Sequence, residues 1–268
     1  MIVSKPRMTA YKLKITFILC CVMGISFGFS APAFAQMSES RAHILFAEAA
    51  EDYKQGHYKE AIDSYEEVLQ SGWESGALYF NLGNGYFKNG QLGKAILNYE
   101  RAQMLTPRDS DLRFNYHYAF LQVKPSFAAP EKNIFEVLID KHMAFYTSGE
   151  MIVFTCAGVF AFGVVFMLLL YFPKIMVFAR WMMGIAGFIF IVFLGGFILK
   201  EQITQSQAIV IENAQARFEP RLEATVYFEL SEGSQVGLVE DGNAWVKIKR
   251  GDGKLGWVEK AKIEKVRL

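Results

Sequence analysis

Two uncharged apolar runs, MIVFTCAGVFAFGVVFMLLLYF over 151–172 and WMMGIAGFIFIVFLGGFIL over 181–199, are separated only by PKIMVFAR, 173–180. At ~1.5 Å of rise per helical residue, each run is long enough to cross the ~30 Å hydrocarbon core of a bilayer. The sequence therefore predicts two transmembrane helices joined by a short loop. Lys174 and Arg180 stand in that loop without an acid, whereas Glu150 and the Lys200-Glu201 pair flank the hairpin. The positive-inside rule then places 173–180 in the cytoplasm and both flanking segments on the outer side. Neither run contains Asp, Glu, Lys, Arg or His. An ion or proton pathway ordinarily needs such a group, so transport is disfavoured.

The beginning of the chain agrees with that orientation. Lys5, Arg7, Lys12 and Lys14 precede an apolar stretch from Ile15 to Phe29, followed by Ala33-Phe34-Ala35. Basic, apolar, then A-x-A is the order of a secretory signal peptide, here 1–35, with a retained anchor as the alternative. Cys20 and Cys21 fall in this leader and Cys156 in the first apolar run, so the soluble parts contain no thiol. Structural disulfides, cysteine metal clusters and a cysteine nucleophile are excluded there. The whole chain carries 28 Lys plus Arg against 27 Asp plus Glu, and residues 36–150 carry 11 against 16. No segment that would face solvent has the basic excess of a nucleic-acid binder.

Between leader and hairpin, a shift of 34 residues superposes Ala49 on Gly83, Gly56 on Gly90, Ala61 on Ala95 and Tyr65 on Tyr99. A 34-residue period is the length of a tetratricopeptide repeat. NLGNGYFKNGQLGKAILNYERAQMLTP, 81–107, resembles that family's pattern: Leu82, Gly83 and Tyr86 in one helix, Ala95, Tyr99 and Ala102 in the next, and Pro107 at the end. Gaps of three to five residues put these side chains where two antiparallel helices meet. A looser repeat runs over about 40–72, and a third first-helix over 111–123 lacks a second helix. Two and a half repeats are few for a continuous core, since such arrays need roughly three units with caps. NIFEVLIDKHMAFY, 133–146, is either that missing cap or a helix on the membrane surface, with 125–130 as linker.

The resemblance implies an all-α repeat domain over 36–124 whose first helices line a concave, partner-binding groove. Carried onto this sequence, the groove residues are Phe46, Tyr53, Phe80, Asn84, Phe87, Lys88, Phe114 and Tyr118. Interhelix packing is the alternative for each aromatic. Asn84 and Lys88 gain little from a core and are the stronger binding candidates.

Beyond Gln202 the pattern changes to short alternating or β-branched runs, AIVI, ATVYFEL, SQVGLV, AWVKIK and LGWVEK, punctuated by Glu232-Gly233, Asp241-Gly242-Asn243 and Gly251-Asp252-Gly253. The spacing resembles bacterial SH3-like domains, which implies a small all-β barrel over 205–268. Trp245, Val246 and Ile248 are expected in its core. Tyr227, Phe228 and Trp257 form a candidate binding surface, with closure of the barrel end as the competing role for Trp257.

Leader, repeats, juxtamembrane segment 125–150, hairpin and barrel occur in one order. That order, with AIVIENAQARFEPRLEATVYFELSEGSQVGLVEDGNAWVKIKRGDGKLGWV at 208–258, resembles the BatE family, the tetratricopeptide proteins of bacterial Bat aerotolerance operons. The resemblance implies a component of the inner membrane with both soluble parts in the periplasm. It also implies partners: Bat membrane proteins with von Willebrand factor A domains, and a MoxR-type AAA ATPase. Peptidoglycan is a further candidate ligand of the barrel. No catalytic site, metal or cofactor is expected: His43, His57, His117 and His142 are scattered, and H-E-x-x-H, G-x-S-x-G and a Gly-rich phosphate loop are absent. No carboxylate stands in an obvious apolar pocket that would retune it.

Overall fold

In the computed structural model, residues 38–124, 133–171 and 176–267 are described. The leader 1–35, the whole of 125–132 and the first residues of the expected 173–180 loop therefore lie outside the described residues. The chain divides into two compact units, one containing 149–197 and the other joining 35–148 to 198–268.

The second unit begins with five helices: α1 (Glu39–Gln55), α2 (Tyr58–Gln70), α3 (Gly76–Lys88), α4 (Leu92–Leu105) and α5 (Ser110–Phe120). Their ends follow local chemistry. Ser38, Ser75 and Asp109 accept backbone N–H groups at the starts of α1, α3 and α5. Gly56 ends α1 at φ 85°, a left-handed conformation that glycine reaches at no steric cost. The helices pair as the 34-residue period requires. A Cβ on Gly83 would lie 2.7 Å from the Tyr99 ring, while Ala95, Tyr99 and Ala102 are buried. Asp109 and Ser110 start α5 beyond Pro107, and α5 ends at Phe120, so the third repeat contributes one helix.

Helix α6 (Ile134–Phe145) opens with a capping box in which Asn133 accepts the Glu136 N–H and Glu136 accepts the Asn133 N–H. Past the hairpin, seven strands form one antiparallel sheet in the order β3-β2-β6-β5-β4-β1-β7. They are β1 (Gln207–Val210), β2 (Ala214–Arg217), β3 (Val226–Leu230), β4 (Gln235–Asp241), β5 (Trp245–Lys249), β6 (Leu255–Glu259) and β7 (Ile263–Lys265). This is the small all-β SH3-like fold expected from the sequence. Val246, Ile248 and Val258 are in its core, whereas Trp245 is only half-buried. Gly256 is required by closeness: a Cβ there would meet Ala216 at 2.9 Å.

The sheet is seated on α4. A Cβ at Gly93 would lie 2.5 Å from the Val210 carbonyl oxygen, and the Gly93 N–H donates to the Glu232 carboxylate at 2.7 Å. Arg101, 8% exposed, donates to the carbonyls of Val266 (3.0 Å) and Lys265 (2.9 Å) and to the Glu264 carboxylate (2.9 Å). Ile209 and Val266 belong to the hydrophobic core of the repeats, while Ala208 and Val210 on the same strand belong to the core of the sheet. The short array is thus completed by the barrel. Of the cap and membrane-surface alternatives for 133–146, the described contacts give α6 little of the capping part: Met143 is its one buried residue.

The other unit contains most of two helices, α7 (Ser148–Tyr171) and α8 (Met176–Ser206), both long and apolar enough to cross a membrane. Each extends beyond the uncharged run that announced it, and α8 includes the end of the expected loop. Phe154 and Phe193 stack with centroids 4.6 Å apart, and a Cβ on Gly158 would meet Ala186 and Phe190 backbone at 3.3 Å. The close approach therefore falls at Gly158. Gly184, Gly187 and Gly195 of α8 face open space, whereas Gly196 is buried.

Candidate functional site

The first helices of the repeats present one cavity, of about 260 Å3, lined by Tyr53 from α1, Asn84, Phe87 and Lys88 from α3, Tyr99 from α4, and Phe114, Asn115 and Tyr118 from α5. Six of the eight expected groove residues are brought together here. Phe46 and Phe80 instead pack against the core, 5.5 Å from Tyr65 and 6.2 Å from Tyr99 between ring centroids. Asn115 is the addition. It stands 34 residues after Asn81 in the repeat register, and that periodicity was its only signal in the sequence.

Asn84 organises the floor of the cavity. Its Oδ1 accepts from the Tyr99 hydroxyl at 2.8 Å and from Asn115 Nδ2 at 2.9 Å. With the oxygen occupied by two donors, the Nδ2 group is the end of the amide available to a ligand carbonyl. Burial pushes the Tyr99 hydroxyl well above its ordinary pKa, so it stays a neutral donor at physiological pH. Phe114 and Tyr118 are largely exposed on one wall, with Tyr118 edge-on to Phe87 at 5.8 Å. Lys88 is exposed at the rim. Aromatic walls, a fixed amide donor and one rim cation suit an extended peptide: backbone carbonyl to Asn84, apolar side chains between the rings, a carboxylate toward Lys88.

On the barrel, the three expected surface aromatics separate. Phe228 is buried in the core, with the Arg250 guanidinium 4.3 Å above its ring. Tyr227 is partly exposed and stacks on exposed Phe218 at 4.4 Å, with the Lys254 ammonium 5.6 Å from its ring centroid. Trp257 is half-buried beneath Lys247, 5.5 Å from the ring centroid. Phe218, in the connection after β2, was missed because that connection carries no alternating pattern.

A second cavity, of about 420 Å3, opens between α4, α6, the last turns of α8 and the sheet. Glu100 lies on it, accepting from the Tyr116 hydroxyl at 2.5 Å and from Gln235. Burial raises its carboxyl above the ordinary carboxylate range, and burial together with Glu100 raises Tyr116. This is a retuned carboxylate that the sequence did not reveal, since its burial depends on strand β4 arriving from the far side of the hairpin. Among the described residues, no group of three or more His, Cys, Asp or Glu is arranged to hold a metal ion.

Comparison with known families assigns modules to both halves of this unit. No curated protein matches the chain. Residues 76–109 match the tetratricopeptide repeat, covering α3 and α4, and residues 211–265 match the bacterial SH3 domain, covering β2 through β7.

Proposed function

We propose that the chain is a non-enzymatic scaffold, anchored in a membrane by its two apolar helices, that captures partner proteins through the groove around Asn84. The observation that carries this reading is the oriented Asn84–Asn115–Tyr99 triad between exposed aromatic walls. Tetratricopeptide repeats and bacterial SH3 domains are binding modules, which accords with it. The resemblance to BatE proteins extends the proposal to a Bat-type complex linked to aerotolerance or envelope stress, with von Willebrand factor A-domain proteins and a MoxR-type ATPase as partners. It also puts both soluble parts in the periplasm, on the inner membrane. The shared core supports one side for both: Ile209 and Val266 reach the repeats only if the intervening chain crosses the membrane an even number of times.

The test is crosslinking and affinity capture of the tagged full chain from its own membranes, read by mass spectrometry. Deleting the repeats is a poor control because it strips the sheet of the surface that α4 covers. Lys88→Ala with Phe114→Ala changes exposed groove atoms only. Loss of membrane proteins with von Willebrand factor A domains from the capture is expected; their unchanged recovery refutes the groove.

A second reading assigns peptidoglycan to the barrel, favoured by the stacked and exposed Phe218 and Tyr227 with Lys254 beside them. Cosedimentation of the full chain with purified wall, abolished by Phe218→Ala, would establish it.

A further inference from the structure

Helix α6 is amphipathic, and it is packed the wrong way round for a helix of a soluble domain. Ile134, Phe135, Leu138, Ile139 and Phe145 fall within an arc of about 140° at ~100° per residue. They are exposed, Phe135 by 73%, Ile134 by 65% and Leu138 by 56%, with Phe145 at 51% beneath the Arg108 guanidinium, 5.4 Å from its ring. Its opposite flank, with Asp140 and buried Met143, faces the cavity beside α4. His142 shares this arc, but four large apolar side chains left outward by a helix that buries only Met143 need an apolar surface to meet.

The attachment of α6 indicates which surface that is. Only Tyr146 and Thr147 separate its last residue from Ser148, where α7 begins. Lys200, the residue after the uncharged run ending at Leu199, donates its ammonium to the Met143 and Tyr146 carbonyls at 2.9 and 2.5 Å. Lys200 thereby ties the C-terminal turn of α6 to the stretch of chain that directly follows the second apolar run. Lys141 is exposed at the edge of the apolar arc, where a headgroup phosphate would lie.

We propose that α6 lies in the lipid–water interface, with the Ile134, Phe135 and Leu138 face sunk among the acyl chains and Phe145, under the Arg108 guanidinium, at the headgroup level. The bilayer surface is therefore a binding partner of the repeat–barrel unit, in addition to the solvent of its hairpin. This inference rests on the membrane-hairpin reading and adds that the folded outer unit is itself docked on lipid. A second protein copy on the same face is the alternative that the test must separate.

The experiment uses the full chain with Cys20, Cys21 and Cys156 replaced by alanine, reconstituted in phosphatidylethanolamine–phosphatidylglycerol vesicles at high lipid excess. A nitroxide is attached in turn through Leu138→Cys, Phe160→Cys in the first span, and Lys59→Cys on the repeats. Collision with dissolved oxygen, which partitions into lipid, is compared with collision with a water-soluble nickel chelate. The expected result is oxygen dominance at 138 and 160 and chelate dominance at 59. Chelate dominance at 138 with oxygen dominance at 160 overturns the inference and leaves the hairpin standing. Protection of 138 from both reagents means protein covers the face, and also overturns it. Chelate dominance at 160 removes the hairpin and this inference together.

Discussion

Replacing Arg101 with alanine tests whether the repeats and the barrel are one cooperative structure. The guanidinium is buried and serves three acceptors on the last strand and its continuation. Glu264 is 39% exposed at its side chain and regains water when the cation is removed, so its share is small. The Val266 carbonyl belongs to a buried residue, and leaving such an acceptor unsatisfied costs about 1–3 kcal/mol. Loss of the long side chain that fills the seam, and of its approach to the Tyr79 ring at 5.9 Å, adds roughly another 1 kcal/mol. A destabilisation of about 3 kcal/mol lowers the midpoint by roughly 6–12 °C for a folded unit of this size. Thermal unfolding of the detergent-solubilised chain, followed by far-ultraviolet circular dichroism, measures it. The control is Arg41→Ala, whose partner Glu67 is at 3.4 Å with both side chains more than half exposed. Such surface pairs contribute about 0–1 kcal/mol. If Arg101→Ala shifts the midpoint no more than Arg41→Ala, the seam carries no stability and the two modules are only neighbours.

Three further outcomes follow from particular contacts. Gly93→Ala drives a Cβ into the Val210 carbonyl and the Ile211 Cα, both backbone, and is expected to cost at least about 1–3 kcal/mol, whereas Gly187→Ala, facing open space, should leave the midpoint unchanged. Glu100 has a folded pKa above its reference value of 4.5, so the folded state holds that proton more tightly than the unfolded one. Stability is then lost as pH rises from 4.5 through the folded value and is level above it. Glu100→Gln should abolish that decline, and parallel stability–pH curves for the two proteins would contradict the burial argument. In the groove, Asn84→Ala leaves the buried Tyr99 hydroxyl without its acceptor and should lower stability by about 1–3 kcal/mol. Lys88→Ala should weaken partner capture with no change in melting, and equal melting losses for both variants would refute this division of roles.

What could be read from the sequence was whatever depended on short-range periodicity. The Gly83–Tyr99 interlock follows from a 34-residue repeat, and the apolar helices from uninterrupted runs. Strand β2, AQAR, was not legible because its alternation is carried only by two alanines, small and not β-branched, and its place depends on pairing with β3 and β6. The docking of the barrel was invisible for a different reason. Gly93 and Arg101 look like an ordinary small residue and an ordinary surface cation of a repeat helix until strands from more than a hundred residues later come to rest on them. Phe46 and Phe80 show the limit at the site itself: register assigns a residue to the groove-bearing helix, but side-chain depth decides whether it is wall or core.

That strand β1 serves two cores sets a schedule for biosynthesis. The repeats emerge first, yet Ile209 and Val266, which complete their apolar interior, are translated only after both long apolar helices. Until then the newly made array has an open flank along α4, with Arg101 still lacking its carbonyl acceptors. The nascent repeats therefore wait, partly unfinished, through the synthesis of everything between, and a chain truncated before Val266 would leave that flank of α4 uncovered.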